Sequence, residues 1–350
     1  MNIYEAIETI RPADRGAMEQ AQKHWNDLAK PLGSLGLLEE NIIRIAGMQG
    51  TPRVEIGKRG TLVMCADNGV VAEGVTQCGQ DVTGIVAGNM TRHCTSLCHM
   101  SDVAHSEIWP VDIGMAEPVE GVRDEHVMRG TRNMAKEPAM SRTQCEQAIE
   151  VGIRLVQEKA QQGYQLLATG EMGIGNTTSS SAVAAVLLQQ PVERMTGRGA
   201  GLSSQGLERK IGAIRQAIAL HQPDAKDPVD VLAKVGGLDL AGLTGVFLGG
   251  AICHIPVLID GFISAVAALC AVRMCPTASE YMIASHMSQE PASGLVMEAL
   301  GLSPMIHARM RLGEGSGAVA AMPLLDMALA VYHGMSTFDE TDIEAYQPLV

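Results

Sequence analysis

Short apolar runs that end in glycine, aspartate or asparagine, each followed by a longer helical pattern, limit the possible fold more than any other feature of this sequence. Five such runs occur: TLVMCADNG from residue 61, EIWPVDIG from 107, YQLLATGEMG from 164, IPVLIDG from 255 and YMIASHMS from 281. Strands that alternate with helices at this spacing form parallel sheets covered on both faces. The pattern predicts an α/β fold, a three-layer, Rossmann-like parallel sheet with helices on both faces.

The two ends of the chain lack strand signals. The first segment has an amphipathic helical pattern that is interrupted near Arg11 and Pro12, and the last segment holds a helix and an acidic tail. We expect residues 1–37 and 326–350 to form a small helical domain beside an α/β catalytic domain of residues 38–325.

Charge and composition exclude several classes of partner. The formal net charge is −13, whereas surfaces that bind nucleic acid or anionic membranes are basic. Small molecules or another protein subunit are therefore the expected partners. The apolar run IPVLIDGFISAVAALCAV is interrupted by Asp260 and Gly261, so it predicts a buried strand and a buried helix instead of a membrane span.

Eight cysteines are scattered through the chain, which opens without a signal-peptide pattern. They predict reduced thiols and a cytoplasmic protein. The stretch TRHCTSLCHM combines His93, Cys94, Cys98 and His99, but its spacing is not that of a structural zinc site. We expect a buried helix with small thiols there, and no metal or cofactor.

Residues 166–188 resemble a phosphate-binding turn, because a strand ends in glycines and a helix begins in polar residues. The residues concerned are Gly170, Gly173, Gly175, Asn176, Thr177 and Thr178. Glycines permit close backbone approach, and a helix N-terminus attracts an anion. The glycine order is not that of a dinucleotide site, and a Walker lysine is missing. An ordinary glycine turn with an Asn or Thr cap is the alternative.

Three further charged residues have two interpretations each. Lys210 follows a second glycine cluster and either neutralises a phosphate or lies solvated on a helix. Asp239 and Asp260 lie at or near strand ends, where they either bind sugar hydroxyls or cap a helix or turn.

Glu314 lies in the glycine-rich segment RLGEGSGAVAAMP, directly before a predicted helix. A buried carboxylate there would have a raised pKa and could act as a general base. A carboxylate at a helix start is instead stabilised by the helix dipole, which lowers its pKa. The residues alone leave both interpretations open. The segment does not have the G-x-S-x-G spacing of a nucleophilic serine.

Taken together, six motifs resemble the nicotinate-nucleotide:dimethylbenzimidazole phosphoribosyltransferase family, in the same order and from about residue 12 to 334. They are KPLGSLGLLE (30–39), VMCADNGVVAEGV (63–75), GEMGIGNTT (170–178), KVGGLDLAGLTGV (234–246), PVLIDGF (256–262) and RLGEGSGAVAAMP (311–323).

This resemblance implies transfer of a 5-phosphoribosyl group from nicotinate mononucleotide to 5,6-dimethylbenzimidazole. It implies that Glu314 is the general base and that Glu171 and Lys210 lie near the ribose phosphate. It also implies a homodimer with shared active sites and no metal. The other candidate substrate-binding residues are Gly173, Gly175, Asn176, Thr177, Thr178, Asp239, Asp260, Ser288, Cys78, Val86, Gly313 and Gly315.

One departure concerns the pocket for the base, because Cys78 and Val86 stand where some relatives carry serine and glutamine. A less polar pocket follows, and the preferred base stays open. A non-catalytic nucleotide-binding α/β protein is the alternative function, whereas the glycine order counts against a nicotinamide-dependent oxidoreductase.

Overall fold

The computed structural model describes residues 2–346, and within this range the chain forms six strands and fourteen α-helices. The strands are β1 (Arg59–Ala66), β2 (Glu107–Gly114), β3 (Arg123–Asp124), β4 (Leu166–Met172), β5 (Val257–Ile259) and β6 (Met282–Ala284). The helices are α1 (Ile3–Ile7), α2 (Arg15–Asp27), α3 (Leu37–Gln49), α4 (Asp81–Thr91), α5 (Ser96–Val103), α6 (Arg142–Gln161), α7 (Asn176–Leu187), α8 (Val192–Met195), α9 (Ser204–His221), α10 (Pro228–Val235), α11 (Leu238–Cys253), α12 (Phe262–Met274), α13 (Ser293–Leu300) and α14 (Ser316–Gly334). Short 3-10 helices cover Gly69–Glu73, Pro276–Tyr281 and Phe338–Glu340.

The sheet is parallel throughout, in the order β3-β2-β1-β4-β5-β6. Each of the five predicted runs forms a strand. The short β3 was not predicted, because two residues carry too little pattern to be recognised. The strand order reverses between β1 and β4, and parallel sheets bind ligands outside the carboxyl ends of their strands at such a point.

Helices cover both faces of the sheet, as predicted. Met64 of β1 lies against Gly242 of α11, whereas Thr61 of the same strand lies against Gly315, which immediately precedes α14. Side chains three positions apart in a strand point to opposite faces, so α11 and the start of α14 lie on opposite sides of the sheet. The three-layer prediction is confirmed.

Glycines let helices α6 and α11 approach each other closely. A Cβ added to Gly245 would overlap the carbonyl oxygen of Ile149, and one added to Gly152 would overlap that of Gly242. The layer that covers one face of the sheet therefore depends on backbone-to-backbone contact between these helices.

The apolar run at 255–272 forms β5 and then α12, as predicted. Among residues 2–346, α14 is the one helix long and apolar enough to cross a membrane by length and composition. Asp326 lies inside α14 and pairs with buried Arg59, with an Nη1 to Oδ1 distance of 2.6 Å. A core helix of a globular domain meets the same criterion, and we interpret α14 as such a helix.

The two ends of the chain meet. The backbone N–H of Ala29 donates to Ser336, Leu28 pairs with Thr337, and Trp25 packs on Tyr332. The division into a helical domain of residues 1–37 and 326–350 and an α/β domain stays a prediction, and residues 347–350 lie outside the described range.

We predict that Gly245→Ala lowers the free energy of unfolding by about 3 kcal/mol or more, because the added methyl group forces α6 and α11 apart. The matched control is Gly212→Ala on α9, where an added Cβ meets no atom within 4 Å. That control should stabilise the protein by roughly 0.5–1 kcal/mol, as for an exposed helix interior. Urea unfolding measures the free energy of unfolding of both variants. Equal changes in Gly245→Ala and Gly212→Ala would contradict the close backbone contact between α6 and α11.

Candidate active site

A cavity of about 350 Å³ opens at the carboxyl ends of the strands, next to the reversal between β1 and β4. Eleven predicted site residues line it: Cys78, Val86, Glu171, Gly173, Gly175, Asn176, Thr177, Asp260, Ser288, Gly313 and Glu314. Four others do not line it: Thr178, Lys210, Asp239 and Gly315 are buried behind its wall. The tertiary structure thus gathers segments that lie far apart in the sequence.

Two buried carboxylates share one amide at the end of β4. The side-chain nitrogen of Asn176 donates to Glu171 and also to Asp239, the latter at 2.9 Å. Burial raises the pKa of Glu171 well above its usual value, and the nearby Asp239 adds to this. Burial also raises the pKa of Asp239 to about 6. Of the two carboxylates, Glu171 lines the cavity and Asp239 lies behind its wall.

Lys210 lies fully buried below the N-terminus of α7. Its Nζ donates to Thr177 Oγ1 at 2.8 Å and to the carbonyl oxygen of Gly197 at 3.2 Å. Burial lowers the pKa of Lys210 to about 8. The solvated-lysine interpretation is therefore wrong. A cation and a helix N-terminus meet at Thr177, which is an arrangement suited to a phosphate group.

Glu314 adopts the left-handed backbone conformation, with φ of +63°, between Gly313 and Gly315 at +84° and +98°. Non-glycine residues rarely adopt this conformation, and it marks a position that the surroundings impose. The surroundings here are the backbone of β4, since a Cβ on Gly170 would overlap the carbonyl oxygen of Glu314.

The carboxylate of Glu314 has an unusual environment. Its Oε2 atom is buried and has no hydrogen-bond partner among the described residues. Burial raises its pKa, and the negative charge of Asp260 raises it further. The helix-dipole interpretation predicted a lowered pKa for Glu314, which is the opposite of the shift found. An unpaired carboxylate with a raised pKa at a cavity wall is suited to accept a proton.

Asp260 caps the start of α14. Its Oδ1 accepts hydrogen bonds from the N–H groups of Gly317 at 2.7 Å and Ala318 at 3.1 Å, and its Oδ2 accepts one from Gly315 at 3.2 Å. The structure thus shows the helix-cap interpretation for this residue, although one side of Asp260 also borders the cavity.

The sequence did not predict four charged or titratable residues at the cavity, namely Arg198, His286, Glu290 and Arg311. Arg198 lies in the second glycine cluster, and His286 follows the last strand, so glycine runs and strand ends were the available signals. Burial raises the pKa of Glu290, whose charge in turn acts on Lys210. No local pattern distinguishes Glu290 from an ordinary surface residue, whereas Arg311 is the first residue of the motif RLGEGSGAVAAMP, and that position was the available signal.

Much of the cavity lining is apolar, and both departures from the family pattern belong to the lining. Cys78 and Val86 line the cavity together with the apolar residues Val75, Val82, Ile174 and Leu312. Such a lining suits the flat face of an aromatic ring and offers few hydrogen bonds to it.

The stretch TRHCTSLCHM lies outside the cavity. Cys98 is buried on α5, but Cys94 precedes that helix and is exposed, so the prediction of two buried thiols was wrong for Cys94. The exposed side chains of His93, His99 and Asp102 have ligand atoms within 4.8 Å of one another, which is close enough to hold a metal ion.

A model of a protein family described as Phosphoribosyltransferase matches residues 10–343. The chain therefore belongs to this family of phosphoribosyltransferases. The enzyme class, a pentosyltransferase, agrees with a cavity that combines a helix N-terminus suited to a phosphate group and a carboxylate oxygen with no partner among residues 2–346.

Within this family the chain is similar to proteins named nicotinate-nucleotide--dimethylbenzimidazole phosphoribosyltransferase. One from Acetivibrio thermocellus is 48% identical over 350 residues, covering 99% of this chain and 100% of the relative. One from Escherichia coli K12 is 44% identical and covers 97% of this chain and 95% of the relative. A crystal structure of CobT from Thermus thermophilus aligns with a TM-score of 0.89 at 37% identity, over 94% of this chain and 99% of that one. These similarities support the transferase prediction and not the non-catalytic alternative.

Proposed function

We propose that this phosphoribosyltransferase moves the 5-phosphoribosyl group of nicotinate mononucleotide to 5,6-dimethylbenzimidazole, giving nicotinate and α-ribazole 5′-phosphate. The observation that carries the proposal is the buried Oε2 of Glu314 at the wall of the cavity, which has no hydrogen-bond partner in the described part of the chain. The substrates are those that give the relatives their names, and these relatives align with nearly the whole chain.

The proposed step is a single displacement at C1′ of the ribose. One ring nitrogen of the benzimidazole forms the new bond to C1′, while Glu314 accepts the proton from the other nitrogen. The bond from C1′ to the pyridinium nitrogen breaks, and its electron pair neutralises the leaving nicotinate ring. Because a positively charged ring leaves, the step needs no acid to assist departure. One displacement converts the β-linked nucleotide into the α-linked product.

Glu314 is suited to this role by its surroundings. A base works best when its pKa lies near the working pH. Burial and the charge of Asp260 shift the pKa of Glu314 in that direction from 4.5. The left-handed turn between two glycines holds Glu314 at the cavity wall, and the apolar side chains that line the same cavity, Val86 among them, are the surface on which a flat ring would lie.

The phosphate of the nucleotide is proposed to bind at the N-terminus of α7. Backbone N–H groups at the first turn attract an anion. Lys210, with a pKa of about 8, is mostly protonated at neutral pH. It places a positive charge directly behind Thr177, to which its Nζ donates a hydrogen bond.

Glu171 and Asp239 are proposed to act on the ribose. Positive charge develops on the ribose as the old bond breaks, and carboxylates held nearby stabilise it. Glu171 reaches the cavity wall, while Asp239 lies behind it and acts through Asn176.

We also propose a homodimer with shared active sites, in the cytoplasm. Val103 on α5 is 74% exposed and Met327 on α14 is 59% exposed. Their sequence neighbours, Ala104 and Asp326, both accept hydrogen bonds from the side chain of Arg59, so the two exposed residues lie on connected elements. Leu312, also exposed, lies at the cavity itself. Exposed apolar residues on neighbouring elements mark a surface that another subunit would cover, and among these three Leu312 is the one that lines the cavity.

We predict that Glu314→Gln lowers the turnover number at least about 10²-fold, the usual contribution of a general base. Nucleotide binding should be largely kept, because the amide has the same size. The wild-type turnover number should fall as pH decreases through the raised pKa of Glu314, and the variant should lack this acidic limb. Nicotinate release measures both, with the exposed Glu298→Gln as the control. Equal turnover by wild type and Glu314→Gln would exclude Glu314 as the base.

Lys210→Ala should raise the KM for nicotinate mononucleotide by about 10- to 100-fold, since a hydrogen bond to a charged group contributes roughly 1.5–3 kcal/mol. The KM for the base should change little. Arg215→Ala removes an exposed cation from the same helix and serves as the control. An unchanged nucleotide KM in Lys210→Ala would mean that this lysine does not serve the phosphate.

If α14 lies in a subunit interface, Met327→Glu should convert a dimer into a monomer, because a charge would be buried against apolar surface. Sedimentation or light scattering measures the mass. Leu220→Glu places the same charge on a similarly exposed apolar position of α9 and should leave the dimer intact. A wild-type monomer, or a dimer unaffected by Met327→Glu, would contradict the proposed interface.

A further inference from the structure

His286 is a buried side chain beside the cavity that the proposed reaction does not use. It follows β6 closely and is 3% exposed. Its backbone is held on both sides, because the N–H of Met287 donates to Ile306 at 2.8 Å and the N–H of Ile306 donates to Ser285 at 3.0 Å. The ring therefore extends from a well-anchored part of the chain.

The ring of His286 touches the start of α14. A Cβ added to Gly317, in the first turn of that helix, would overlap its Cδ2 atom, and one added to Gly261 would lie 3.4 Å from its Nε2 atom. The ring thus fills the space between α14 and the loop that joins β5 to α12.

His286 also lies beside the residue that caps α14. Its Nε2 is 3.9 Å from Asp260 Oδ1, and among residues 2–346 no other basic side chain comes this close to Asp260. The same oxygen accepts the N–H groups of Gly317 and Ala318. A chain of contacts therefore runs from His286 through Asp260 to the turn that contains Glu314.

We propose that His286 is a positioning residue for Glu314. By packing beneath Gly317 and holding Asp260, it fixes the first turn of α14, so that Glu314 keeps its left-handed conformation at the cavity wall. This inference rests on the proposed function, because it assigns His286 to the arrangement of the proposed base.

Charge gives His286 a second effect on the same residue. The charge of Asp260 acts on two carboxylates, Glu171 at the end of β4 and Glu314 in the turn before α14, and Asp239 from α11 acts on Glu171 in turn. His286 offsets the charge of Asp260 within this acidic group, and the charge of Asp260 acts on Glu314. Loss of the imidazole would change both the geometry of the turn and the field at the carboxylate.

The test uses His286→Ala and His286→Gln in the full-length protein, with Ile283→Val as a control that weakens the core of β6 without touching this contact. We expect His286→Ala to lower the turnover number by about 10-fold or more, with both KM values within about 3-fold of wild type, because a small misplacement of a catalytic group costs rate more than binding. His286→Gln should recover part of the rate, since its amide can donate to Asp260. Combined with Asp260→Asn, either substitution should add little, as expected for residues that act through one contact.

Hydrogen exchange supplies a readout that does not depend on activity. Amides of residues 313–318 should exchange faster in His286→Ala than in wild type, and at the wild-type rate in Ile283→Val. Unchanged exchange in His286→Ala, an unchanged turnover number, or a raised KM with the turnover number kept would overturn the proposal. If wild type releases no nicotinate, the proposed function fails, and the exchange rates still decide whether His286 holds the turn. If His286→Ala does not fold, the milder His286→Gln is judged by the same measurements.

Discussion

The binding of one buried carboxylate, Asp260, to the first turn of α14 is the interaction on which the cavity depends. Its two oxygens accept three backbone N–H groups, from Gly315, Gly317 and Ala318. A buried charge is costly unless such donors surround it, and the first N–H groups of a helix have no partner within the helix. The carboxylate of Asp260 and the free N–H groups of α14 therefore supply each other with hydrogen-bond partners. The turn that results carries Glu314 in a conformation that few residues other than glycine adopt.

The cavity places like charges closer together than water would favour. Glu171, Asp239, Asp260 and Glu314 all have raised pKa values, and burial is the first cause for each. Like charges and burial both disfavour the ionised form. The cavity is therefore suited to a substrate that brings or develops positive charge, and Lys210 below the N-terminus of α7 is suited to the anionic end of the same molecule.

Much of the fold was predictable from the sequence. The five apolar runs became strands because alternating strands and helices can bury their apolar residues only in a parallel sheet covered on both faces. Strand β3 was missed because its two exposed residues, Arg123 and Asp124, carry no apolar signal. The position of the cavity is also consistent with this fold, because the carboxyl ends of parallel strands lie at one edge of the sheet.

For the candidate site, the sequence predicted which residues belong to it better than it predicted what each residue does. Glycine clusters led to Lys210 and Glu314, yet a lysine on a helix is buried or solvated depending on what packs over it, and nothing local decides this.

The sequence by itself determined the parallel α/β fold, the glycine turns and the motifs that mark the family, because these depend on local periodicity and on residue types that few backbone conformations tolerate. Only the tertiary structure decided that Lys210 is buried, that Asp260 caps α14 and that one oxygen of Glu314 has no partner among the described residues. Those three outcomes depend on burial and on distances between atoms of segments far apart in the chain. Such quantities set pKa values and hydrogen bonding, and no local pattern records them.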